Sequence, residues 1–366
     1  MLRILIVDNS LALTGAFKSI AEVTSKIDSA KFYFAIPSKS AMILDLRKRE
    51  MDVISLNFIE ISRSVSAILY FPFLIWNSIR LLRYIKKNCI EIVHVNDMYN
   101  MCGVAVKLIR PKTKVVYHVR LMPDSYIRSL YHFFVYLIRK YSDRVISVSE
   151  AVKSKLEKLG LASILIYDSI KISEKHDVKN FTQGVKLLYL ANFTKGKGHE
   201  YAIRAFSIAK RQVPNLHLVI AGGDLGLGRN KLYKRDLQRE VVRLGLTNCI
   251  VFRGFIDDTE RIIKEADIFL NFSESESFSI TCLEAVTYGV PLIVTDCGGP
   301  SEIFENEVSG LLVPNKGVEE MAAAIVRLSQ NKNLREDFSR EGKRYVAAKF
   351  GQLKSAEALS SVYISL

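Results

Sequence analysis

Short, nearly continuous apolar runs recur along both halves of the chain, each closed by glycine, proline or small polar residues. In the first half they are Leu2–Asp8, Glu91–Asp97, Lys114–Arg120 and Tyr141–Ser149; in the second, Lys186–Asn192, Asn215–Ala221, Ile250–Phe255, Ala266–Phe272 and Leu292–Thr295. Unbroken apolar character, in place of alternation, suits strands buried on both faces. Between the runs lie segments of helical periodicity, such as Ala151 to Lys158 behind the N-cap candidate Ser149, and Glu200 to Arg211. Strands alternating with helices predict an α/β fold with parallel sheets, not a sandwich or barrel.

With 366 residues, 49% apolar and 25% charged, the chain is globular and long enough for two cores. The expected division is 1–170 and 185–344, both Rossmann-like, with the polar, aperiodic stretch Lys171 to Gly184 as linker. Gly222-Gly223-Asp224 ends a strand without the spacing of a dinucleotide-binding turn, which argues against a nicotinamide cofactor. Five cysteines at scattered positions show neither metal nor disulfide spacing, and the chain opens directly on a strand without a secretory leader; a cytoplasmic location is expected.

The net charge of +14 is uneven: residues 1–170 hold 25 Lys/Arg against 14 Asp/Glu, leaving 27 against 24 for the remainder. No nucleic-acid-binding motif accompanies that basic excess, so nucleic acid is not an expected partner. An anionic membrane surface is the alternative. Two stretches fit it: 65–76, followed by Arg80, Arg83, Lys86 and Lys87, and 126–140, aromatic and basic throughout. The first is too short and too interrupted by Pro72 to span a bilayer. Each could instead be an amphipathic helix covering a sheet.

The chemistry is concentrated in Ser273-Glu274-Ser275-Glu276-Ser277-Phe278-Ser279-Ile280-Thr281-Cys282-Leu283-Glu284, where a strand end passes through a serine-rich loop into a helix start near 277–279. Eight residues of helical rise put Glu276 and Glu284 roughly 12 Å apart. Strand ends and helix N-termini are where anions bind in open α/β sheets. Upstream, Thr194-Lys195-Gly196-Lys197-Gly198 is a basic turn after a strand, and downstream lie Cys297-Gly298-Gly299-Pro300-Ser301-Glu302 and Gly310–Pro314.

This ordered set resembles the donor-binding region of the GT4 family of retaining glycosyltransferases. The resemblance implies a GT-B architecture: two Rossmann-like domains facing a cleft, with the final segment 345–366 returning as a helix to the first. It also implies a nucleoside-diphosphate sugar as donor, with Glu276 on the hexose hydroxyls, Glu284 on the ribose, Lys197 on the diphosphate, and N–H groups around Phe278 and Ser279 joining them. Ser279 stands where the family commonly has glycine, and Asn192 where it often has arginine. Gly15 is the nearest match to a glycine in the first βα loop, and His118 to a histidine beside the transferred sugar; His94 is the other candidate, or a core histidine. Tyr167-Asp168-Ser169-Ile170 replaces the usual Pro-Asn-Gly.

The implied reaction needs no cofactor and no metal, and no Asp-x-Asp cluster is present. A glycan or lipid-linked acceptor, such as a growing surface polysaccharide, is expected. A non-hydrolysing nucleotide-sugar epimerase and a catalytically degenerate nucleotide-sugar-binding protein remain open alternatives.

Overall fold

Runs such as Leu2–Val7 and Ile268–Asn271 become central strands because helices on both sheet faces remove their side chains from water. The computed structural model describes all residues except 12–13, 59–65, 124–127 and 171–183. Most of the expected linker, and part of each amphipathic stretch, thus lies outside the described residues.

The chain divides into two compact units, Met1–Ser169 with Gln352–Leu366, and Ile170–Gly351. In the first, strands β1 (Leu2–Val7), β2 (Ala30–Pro37), β3 (Asp52–Leu56), β4 (Ile92–Val95), β5 (Lys114–Val119), β6 (Arg144–Ser147) and β7 (Ile164–Leu165) form one parallel sheet in the order 3-2-1-4-5-6-7. Helices α1 (Gly15–Thr24), α2 (Met42–Lys48), α3 (Ser66–Lys87), α4 (Cys102–Ile109), α5 (Arg128–Tyr141) and α6 (Glu150–Glu157) connect the strands. Ser149 does cap α6, accepting from Val152 N at 3.1 Å.

The second unit repeats the plan. Strands β8 (Val185–Leu190), β9 (Leu216–Ala221), β10 (Ile250–Phe252), β11 (Ile268–Asn271), β12 (Leu292–Thr295) and β13 (Gly310–Val313) pair in parallel in the order 10-9-8-11-12-13. The helices are α7 (His199–Gln212), α8 (Gly228–Arg243), α9 (Thr259–Lys264), α10 (Ile280–Thr287), α11 (Val318–Gln330) and α12 (Lys332–Lys349). In each sheet the strand order reverses once, between β1 and β4 and between β8 and β11. Those reversals leave a crevice at the carboxyl ends of the flanking strands, the place where this fold class takes ligands.

The expected return helix over 345–366 is corrected. Residue 345 still belongs to α12, which ends at Lys349, and the chain re-enters the first unit as α13 (Gln352–Ile364). The break falls where Phe350 is anchored in the second unit, its ring 5.6 Å from Phe278. Ala356, Leu359, Val362 and Tyr363 of α13 then complete the first unit's core against Ile20, Phe32 and Ile92.

Because Leu359 is 1% exposed in that core, Leu359→Ala is expected to destabilise the first unit by about 2–5 kcal/mol. Denaturant unfolding followed through Trp76, the only tryptophan and itself in this unit, checks it; an unchanged midpoint would show that α13 is dispensable.

Candidate active site

At the reversal point of the second sheet, the loop after β8 carries Lys197 and the loop after β11 carries Glu276. Although 79 residues apart, they form an ion pair, Lys197 Nζ to Glu276 Oε1 at 2.9 Å. Glu276 Oε2 also accepts from Ser273 Oγ at 2.9 Å and from Asn271 Nδ2 at 3.5 Å. The carboxylate is therefore held by one cation and two neutral donors.

Backbone clamps fix the two loops. The Tyr189 hydroxyl, rising from β8, accepts from Phe272 N at 2.8 Å and donates to the Lys197 carbonyl, while Glu274 N donates to Gly196 O at 2.9 Å. From the other side, Thr295 Oγ1 donates to Ser273 O, Glu276 N to Cys297 O, and Gly299 N to Glu276 O. Two glycines allow this closeness. A Cβ on Gly198, whose φ is +71°, would stand 1.8 Å from the Phe272 carbonyl oxygen, and one on Gly299 would stand 2.1 Å from the Ser277 oxygen.

Burial pushes the Glu276 carboxyl up, but the Lys197 ammonium and the three hydrogen bonds outweigh it and the net shift is downward. Burial likewise pulls Lys197 down, and the Glu276 charge turns the net shift upward. Both groups stay charged, while the Lys197 side chain keeps 31% of its surface open to solvent. A charged lysine with a partly exposed side chain, in the turn just before a helix start, is chemistry suited to a phosphate ester.

The helix start carries a strained residue. Ser279 caps α10 at φ +89°, ψ +89°, its Oγ accepting weakly from Cys282 N at 3.4 Å and from Asn271 Nδ2 at 3.3 Å. The backbone there is one that glycine adopts freely and serine does not. Phe278 is buried, and the expectation attached to it concerns its N–H alone, since its side chain is core. Glu284, one turn into α10, is 3% exposed. Asn192 is exposed, and its Oδ1 accepts from Gly223 N at 3.2 Å, so the amide ties two strand-end loops together.

In the first unit Gly15 begins α1 directly after the N-cap Thr14, whose side chain accepts from Phe17 N. His118 lies one residue before the end of β5 and is 3% exposed. Its ring lies 5.4 Å from that of His94, and His94 Nδ1 meets the Tyr363 hydroxyl at 2.8 Å. Burial, with the nearby Arg120 charge, holds His118 well below the usual histidine range and His94 down to about 3, so both rings are neutral.

Sequence reasoning missed Arg120. It is buried, donating to Asn96 Oδ1 at 2.8 Å and pairing with Asp168, while Asn96 donates to Asp8. This network joins the ends of β1, β4 and β5 to the segment that replaces Pro-Asn-Gly. Beside it, burial pushes the Asp97 carboxyl up to about 7 against the pull of Met98 N–H and Arg120. The signal available was a charged or amide residue directly after each apolar run, which read as ordinary strand-end polarity. Among the described residues no group of three or more His, Cys, Asp or Glu could hold a metal ion.

The family model of glycosyl transferases group 1 matches residues 171–345, and that of glycosyltransferase family 4 matches 41–170. The chain belongs to the GT4-type glycosyltransferases. It is 33% identical to an uncharacterized glycosyltransferase of Methanocaldococcus jannaschii over 48% of this chain and 44% of that one. It is 30% identical to a D-inositol 3-phosphate glycosyltransferase of Saccharomonospora viridis over 49% and 42%. The matches thus span about half the length of these curated relatives. In fold it resembles Anabaena HepE, crystallised with UDP and glucose, at a TM-score of 0.86 and 18% identity over the full length of both chains. The chain has the two parallel-sheet Rossmann-like domains of the GT-B class, the class of its structural neighbours.

Two expectations follow for the ion pair and the cap. Glu276 titrates below its unfolded value, so its contribution is complete above that value and lost as pH falls through the folded one; Lys197 titrates above its unfolded value, so its contribution is lost only as pH rises through the folded one. The stability difference between the native chain and Glu276→Gln should therefore be flat near neutrality and shrink below about pH 4.3, the ordinary glutamate value, in urea titrations across pH. Ser279→Gly removes a strained φ worth about 1 kcal/mol and a cap that glycine replaces at a cost of a few tenths. Net stabilisation of about 0.5 kcal/mol is expected; a loss above about 1 kcal/mol would mean that the hydroxyl outweighs the strain.

Proposed function

We propose that the protein transfers a sugar, with retention of configuration, from a nucleoside-diphosphate sugar to a glycan or lipid-linked acceptor. The observation that carries this reading is the 2.9 Å Lys197–Glu276 pair at the reversal point of the second sheet. In the proposed complex, the diphosphate takes a place beside the Lys197 ammonium and the first N–H groups of α10, which have no acceptor within the helix. Glu276 receives the hexose hydroxyls, and Glu284 the ribose. Asn192 belongs to the donor site of the second unit; in the first unit, taken by itself, Gly15 and the neutral ring of His118 are the residues assigned to sugar recognition.

The difficulty in this reaction is charge. As the glycosidic bond to phosphate breaks, the leaving diphosphate gains negative charge and the sugar becomes oxocarbenium-like. A cation and oriented N–H groups already in place at the leaving group lower that barrier without reorganisation. The donor set at hand is a lysine and backbone N–H groups, sufficient for this neutralisation without a metal. The departing phosphate itself takes the acceptor's proton on the same face, so no side chain is assigned as base.

Lys197→Ala and Glu276→Ala are each expected to lower turnover by roughly 10²-fold or more. The assay is release of nucleoside diphosphate from a panel of UDP-, GDP- and ADP-sugars, beginning with UDP-glucose, with and without acceptor glycans. Acceptor-dependent release supports transfer. A new nucleotide sugar formed from donor alone would indicate an epimerase, and binding without turnover a degenerate site. A folded Glu276→Ala protein with near-native turnover would overturn the assignment.

A further inference from the structure

Helix α3 is apolar on two faces: it buries Tyr70, Leu81 and Ile85, and it leaves a second apolar stripe in water. Its inward face includes Asn77, 2% exposed, whose Oδ1 accepts from Asn57 N at 3.2 Å and whose Nδ2 donates to Asn57 O at 2.8 Å, and the buried Ser78. Its outward face presents Phe71, Ile75, Trp76 and Ile79 at 64, 63, 58 and 40% exposure. At 3.6 residues per turn these four and the exposed Arg83, Lys86 and Lys87 share one arc of about 160°. Single exposed apolar side chains are ordinary, but a stripe of four on a helix that already has a buried face against the core marks a contact surface.

The charges say what the surface meets. The apolar residues occupy the first part of the described stripe and the cations the last, and α3 contains no Asp or Glu. A second copy laid on this face would bring no carboxylate from its own α3. A bilayer interface supplies both needs: acyl chains for the apolar half and anionic headgroups for the basic end. No helix among the described residues is long and apolar enough to cross a membrane, so α3 would lie along the surface. Helix α5, which reaches α3 through the intervening α4, adds Phe133 and Tyr136, each 49% exposed, and the basic Arg139 and Lys140 of its last turn.

We infer that the outward face of α3 docks the protein on an anionic lipid surface, with Trp76 in the headgroup layer. This stands apart from the transfer chemistry, because lipid binding is read without any donor or acceptor.

Trp76, as the chain's only tryptophan, reports on the contact directly. The full chain is mixed with vesicles of phosphatidylcholine, with or without phosphatidylglycerol, and followed by emission wavelength and flotation. Expected are a blue shift and co-flotation with the anionic vesicles only, reversed by high salt. Neutralising Arg83→Gln or Lys87→Gln should weaken binding about fivefold each, and Ile75→Ser with Ile79→Ser should abolish it while circular dichroism stays native. Unchanged emission with anionic vesicles, equal flotation on both lipids, or flotation retained by the double serine variant would overturn the inference. So would a blue shift that grows with protein concentration in the absence of lipid, which would make the occupant a second copy.

Discussion

An ammonium and a carboxylate drawn partly out of water stay ionised only if each compensates the other and their remaining valences are filled. At Lys197 and Glu276 this condition is met by one ion pair, one serine hydroxyl and one asparagine amide. The loops bearing them must then approach within hydrogen-bonding distance, and that requirement reaches far into the second unit. Tyr189 gives its buried hydroxyl to both loops, Thr295 and the 297–299 turn hold the opposite side, and Gly198 and Gly299 stand where any side chain would strike a carbonyl. The result is a charge constellation set before any ligand arrives, in the crevice where the order β8, β11 reverses the winding of the sheet.

The first unit handles its buried polar groups differently. Arg120 and Asp168 neutralise each other, and Asn96 and Asp8 extend the chain of hydrogen bonds across the ends of neighbouring strands. The two histidines lie in the same interior as neutral rings, one anchored by Tyr363 from the returning helix. The first unit otherwise keeps an ordinary apolar core, and the exposed apolar stripe and basic end of α3 stand out against it. Burying Asn77 is tolerable because both ends of its amide are satisfied by a single backbone residue, Asn57.

Much of this was legible in the chain. Continuous apolar runs marked the central strands, since a strand covered on both faces has no polar side to show. The loops carrying Lys197 and Glu276 could be located from strand ends and helix starts, and Ser149 from its capping position. Strands β2 and β3 were not picked out, although Phe32–Ile36 is an apolar run between polar segments; Asp52–Leu56 is short and only partly buried, which weakens its signal. The point at which the chain returns to the first unit was placed too early, since α12 and α13 read as one helical stretch; the break falls at Phe350 and Gly351, where Phe350 packs against Phe278 and Gly351 bridges to Ile170. The place of His118 near the end of β5 was legible, but its burial was not, since the elements packed around the strand set it.

Local residue order, by itself, determined what one-dimensional physics can: the class of fold, the doubling of the domain, the excess of positive charge in the first half, and which loops carry Lys197 and Glu276. Tertiary structure alone decided which of those side chains meet. The pairing across 79 residues, the left-handed backbone at Ser279, the Arg120–Asp168 contact and the choice of which apolar face of α3 stays exposed all depend on where neighbouring elements lie in space. Propensity and periodicity act over a few residues, whereas desolvation and hydrogen-bond satisfaction are set by whatever the fold brings alongside.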